Sequence, residues 1–173
     1  SCHVLFQRSF KEQVSDGCLR INNEMRNWVL KNRPNVIIIS QFVYSNLSQV
    51  DFRNTLLTLK SIVPNILLIE NTPVFPDGKD FMIPRPLIMS AYQAPKSFKL
   101  SEMQTKDKNA SNQLASWART NAISTMNLDA LFCAKEDCTR YAGSDWLYYD
   151  DNHLSVAGAA LAIPKLSNFL KRF

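Results

Sequence analysis

Two short, wholly apolar runs, Val36-Ile37-Ile38-Ile39 and Ile66-Leu67-Leu68-Ile69, constrain the fold of this chain more than any other feature. Strands that face water on one side alternate apolar and polar residues. Runs without that alternation are buried on both faces, as in a parallel sheet covered by helices. Helical patterns supply the cover. From Leu19 to Lys31, the residues Ile21, Met25, Trp28 and Val29 recur at helical spacing, and Arg33-Pro34 ends the pattern. From about Asp51 to Ile62, Phe52, Leu56 and Leu59 point inward, and Pro64 is the stop. Because parallel strands must be joined by long crossovers, this alternation predicts an α/β three-layer sandwich around a parallel sheet.

A third helix is predicted from Ser101, or shortly after it, to Asn121, behind a Ser101-x-x-Gln104 capping pattern. A weaker strand is expected within Ile123–Phe132. A last helix starts after His153, and Pro164 should kink or interrupt it. Five of the eight prolines fall between Asn71 and Pro95, a long irregular excursion of the kind that carries ligand sites at the rim of an α/β sheet. The 173 residues, 46% of them hydrophobic, suit one domain spanning 1–173. No apolar run approaches the roughly 18–20 residues of a membrane helix. The four glycines are not spaced to cradle phosphates, so no nucleotide cofactor is expected. The net charge of +5 is scattered apart from Lys171-Arg172, and no nucleic-acid partner is predicted.

The four cysteines form two sequence-local pairs, Cys2 with Cys18 and Cys133 with Cys138, although four thiols allow three connectivities. Local disulfides are the simplest pairing, and they would place the chain outside the reducing cytosol. Buried free thiols and a metal site remain open alternatives. The second of these has little support, since neither C-x(15)-C nor C-x(4)-C is a usual zinc spacing, and no metal is predicted.

The densest polar constellation is Leu147-Tyr148-Tyr149-Asp150-Asp151-Asn152-His153-Leu154-Ser155. A carboxylate three residues before a histidine can turn back to the imidazole, fix its tautomer and stabilise the cation formed when the ring takes a proton. Spacing alone leaves a structural histidine beside a surface aspartate as an alternative. Ser155 has a plainer role as a helix cap. Together with Cys133-Ala-Lys-Glu-Asp-Cys138 just upstream, the stretch Trp146–Ala159 resembles the closing motif of the SGNH (GDSL-like) hydrolase superfamily. It is most similar to the extracytoplasmic SGNH domain fused to membrane acyltransferase-3 domains in bacterial polysaccharide O-acetyltransferases. In that pattern, Tyr-x-Asp-x-x-His-Leu-Ser-x-x-Gly-Ala, the matching positions are Tyr148, Asp150, His153, Leu154, Ser155, Gly158 and Ala159.

The resemblance implies a flavodoxin-like sheet ordered 2-1-3-4-5 and a Ser-His-Asp triad, with Asp150 orienting His153 and His153 deprotonating a serine. It also implies no cofactor. The family serine sits in a Gly-Asp-Ser motif at the end of the first strand, and this chain contains no such tripeptide. The expectation is therefore an amino-terminally incomplete domain lacking its first strand, with Val36–Ile39 left at a sheet edge. Gln41 is the candidate oxyanion donor. Tyr148 and Trp146 are candidates to stack on a sugar. By the same resemblance the partners are an acetylated carbohydrate or cell-envelope glycan and a membrane acyltransferase domain. The location is periplasmic or extracytoplasmic, with a tether to the inner membrane. Two functions compete: carbohydrate O-acyltransferase or acetylesterase, and a catalytically inactive module that binds glycan or docks on a partner.

Overall fold

A computed structural model describes residues 16–40, 43, 49–75, 97–103, 105–149 and 152–173. The chain divides into two compact units, one built from 1–70 and 109–126, the other from 71–108 and 127–173.

In the first unit, helix α1 spans Asp16–Asn32, strand β1 Val36–Ser40, helix α2 Gln49–Lys60 and strand β2 Asn65–Ile69. Arg33 ends α1 in the left-handed region (φ 42°), with its N–H donated to the Val29 carbonyl at 2.9 Å, and Pro34 prevents the helix from continuing. The two apolar runs pair in parallel, Ile37 opposite Ile66 and Ile39 opposite Leu68. Ile39, Ile66 and Leu68 share one sheet face and cluster with Val29, Phe52, Leu56, Leu59, Ala110, Leu114 and Ala118. The apolar stripes of three helices therefore cover that face. On the other face Leu67 and Ile69 are also buried, as unalternating strands require.

The third helix and the strand after it take shapes that differ from the sequence expectation, whereas the terminal helix is interrupted at Pro164 as expected. After the extended strand β3, Ser97–Lys99, the Ser101 capping position falls in a 3-10 turn, Leu100–Glu102. Helix α3 begins only at Thr105 and runs to Thr120. The expected strand shrinks to β4, Ser124–Met126, parallel to β2, because the chain then coils into a 3-10 turn at Asp129–Leu131. Among the described residues the parallel order is β1-β2-β4, with β1 at an edge. The terminal helix is two helices, α4 (Val156–Ala160) and α5 (Ile163–Leu170), and Pro164 lies in the first turn of α5, where a missing N–H costs nothing.

The second unit holds short antiparallel strands that the sequence did not reveal. These are β5 (Cys133–Ala134) and β6 (Asp137–Thr139), joined to β3, and a small hairpin of β7 (Tyr141–Ala142) and β8 (Asp145–Trp146). Cys133 and Cys138 face each other across β5 and β6 and form a disulfide. Cys18 is also disulfide-bonded; its expected partner Cys2 lies outside the described residues, as does most of the proline-rich excursion. At the centre of this unit Arg140 is 2% exposed, with its guanidinium 4.6 Å from the Phe75 ring centre and 5.2 Å from that of Phe98. Such cation–π stacking offsets part of the cost of burying a guanidinium that water cannot reach. Tyr148 stands edge-on to Phe75 at 4.8 Å and to Phe132 at 5.1 Å.

Burial raises the Tyr148 phenol well above its ordinary range; the Thr72 hydroxyl opposes this, without forming a well-directed hydrogen bond to the phenol oxygen. The unfolded chain therefore loses this proton from about pH 10 while the folded chain keeps it, so stability should fall as pH rises above that value. Urea unfolding of wild type and Tyr148→Phe between pH 8 and 11 should show a shallower alkaline decline in the variant; parallel declines would contradict the burial argument.

Candidate active site

The stretch that carries His153 is held by its two flanks. Tyr148 and Leu154 form an antiparallel bridge. The Tyr149 N–H donates to the His153 carbonyl at 2.7 Å, and the Ser155 N–H donates to the Leu147 carbonyl at 2.9 Å. Asp150 and Asp151, which lie between the two sides of this short ladder in sequence, are outside the described residues. The Leu147 N–H donates to the Arg140 carbonyl at 2.7 Å, which ties the ladder to the aromatic core. His153 emerges from the ladder into solvent.

Ser155 and Gly158 fasten the return strand to what precedes it. Ser155 is the N-cap of α4, accepting from the Gly158 N–H at 3.1 Å, while its hydroxyl donates to the Trp146 carbonyl. This is the capping role read from the sequence. Gly158 presses its bare Cα against Leu147: a Cβ there would lie 1.9 Å from the Leu147 carbonyl oxygen and 2.8 Å from its carbon. Only glycine permits that approach. Gly158 matched the closing motif, but its reason lies in this packing rather than in backbone dihedrals.

Of the two sequence candidates for sugar stacking, Tyr148 needs correction. Tyr148 is 1% exposed and has Phe75 and Phe132 against its ring, because its side of the bridge to Leu154 faces the core; no face is left for a ligand. Trp146 is half-buried, stands edge-on to Tyr141 at 5.4 Å, and has a buried indole N–H. The exposed aromatic side chain of the stretch is Tyr149, at 52%. Gln41, the candidate oxyanion donor, lies outside the described residues. Among the described residues no group of His, Cys, Asp and Glu side chains is arranged to hold a metal ion, and no helix is long and apolar enough to cross a membrane.

Against known protein families, residues 1–168 match the SGNH domain described as fused to AT3 domains. The chain belongs to that family. No curated protein sequence matches it. Among solved structures, the periplasmic domain of a lipopolysaccharide acetyltransferase from Salmonella ser. Paratyphi A is similar, with a TM-score of 0.67 and 16% sequence identity over 98% of this chain and 69% of that one. At that identity the likeness shows a shared fold. Fusion to AT3 domains gives the SGNH domain a membrane acyltransferase as its partner within the family.

The closure of the SGNH domain's His153 stretch should depend on Ser155 and Gly158. Gly158→Ala should destabilise it by about 1–3 kcal/mol through overpacking, despite the roughly 1 kcal/mol that alanine gains in helix propensity. Ser155→Ala should cost about 1 kcal/mol, with Ser155→Thr milder. Chemical denaturation checks this order; a neutral or stabilising Gly158→Ala would refute the close approach at Leu147.

Proposed function

We propose that this chain is the SGNH domain of a carbohydrate O-acyltransferase or acetylesterase acting on cell-envelope glycan outside the cytoplasm, in a protein whose membrane acyltransferase domain tethers it. The observation that carries this reading is His153, exposed beside a short backbone ladder and three residues after Asp150, the Asp-x-x-His spacing of the family motif. Asp150 orients and stabilises the imidazole. His153 takes the proton of a serine hydroxyl as the serine oxygen bonds to an acetyl ester carbonyl.

The tetrahedral intermediate collapses by expelling the alcohol oxygen, which receives the proton from His153, and an acetyl-serine remains. A second hydroxyl, from water or from a sugar, then gives its proton to His153 and takes the acetyl group, regenerating the serine. Gly-Asp-Ser is absent from the 173 residues, so the nucleophile is proposed to come from sequence upstream of them. Gln41, which follows β1 in sequence, is proposed to donate to the oxyanion.

The test is hydrolysis of p-nitrophenyl acetate by the complete polypeptide that contains this domain. His153→Ala should lower kcat by roughly 10³-fold or more, the scale of losing a triad base, with folding intact. Undiminished turnover would remove His153 from the chemistry and favour the alternative of a glycan-binding module without catalysis.

A further inference from the structure

The ladder that pins His153 also fixes which neighbour stands beside it. Tyr148 pairs with Leu154, and the Tyr149 N–H reaches the His153 carbonyl at 2.7 Å, so Tyr149 and His153 are directly opposite each other. Directly opposed residues of an antiparallel pair project from the same face, with Cβ atoms about 4.5–5.5 Å apart. Tyr148 projects from the other face, into the aromatic core, where it is 1% exposed. Tyr149 thus projects from the same face as His153, with half its surface open to solvent, on a backbone anchored by its buried neighbour. It meets none of the packing needs of the core.

We infer that Tyr149 is a substrate-binding residue, a platform for the apolar C–H face of a pyranose ring whose acetylated oxygen lies at His153. A planar ring held rigidly loses little entropy on stacking, and a tyrosine ring beside the base sets how far a sugar extends from the reacting ester. The ligand class is a glycoside carrying an O-acetyl group. This inference rests on the reading of His153 as the catalytic base.

The experiment uses the complete polypeptide and oligosaccharide released by mild acid from the lipopolysaccharide of the producing organism. Tyr149→Ala should weaken oligosaccharide binding in calorimetry by about tenfold, the upper range for one aromatic contact, and should lower kcat/KM for its O-acetyl ester relative to p-nitrophenyl acetate by a similar factor. Tyr149→Trp should restore both. Unchanged affinity in Tyr149→Ala, or equal losses on the two esters, would overturn the platform. His153→Ala separates the two ideas. If it leaves turnover intact, the base assignment fails, while the affinity of the Tyr149 variants still decides whether the ring contacts sugar.

Discussion

The Leu147 carbonyl oxygen is the point on which the site depends. It accepts the Ser155 N–H, and the bare Cα of Gly158 lies against it. The first contact fixes the strand returning from His153. The second fixes the helix that follows, because α4 can approach only where no side chain intervenes. Leu147 is in turn held through its own N–H to Arg140, whose guanidinium is stacked among aromatic rings. A chain of short backbone bonds therefore connects an exposed imidazole to the least accessible side chains of its unit. That is how the backbone of an exposed residue is held in place without lying in a regular sheet.

Period-two geometry divides the labour of two adjacent tyrosines. Tyr148 is spent on burial, and its phenol is pushed upward by desolvation. Tyr149, one residue on, must face the other way. A sequence motif that names Tyr148 records the anchor rather than the contact surface. Ser155 is a helix cap, held by the Gly158 N–H.

Much of the parallel sheet could be read before any coordinates. Val36–Ile39 and Ile66–Ile69 lacked alternation, Pro64 and Arg33-Pro34 marked helix ends, and the strands pair in parallel as the crossovers demand. The second unit was hidden for a physical reason. Its strands are two or three residues long, too short for any period to register, and they are held by a disulfide and by Arg140 packed on phenylalanines far away in sequence. His153 stood out in the sequence through its spacing from Asp150. The direction of Tyr148 was hidden, because it depends on its pairing with Leu154. Gly158 stood out only as a matched letter; its cause is a three-dimensional encounter with Leu147.

The central claim, that His153 activates a serine supplied from upstream of these residues, is tested most directly by treating the complete polypeptide with a fluorophosphonate and mapping the adduct by mass spectrometry. The account predicts one phosphonylated serine, upstream of residue 1, whose labelling disappears in His153→Ala. An adduct on a serine within residues 1–173, or labelling that proceeds equally without the imidazole, would contradict it.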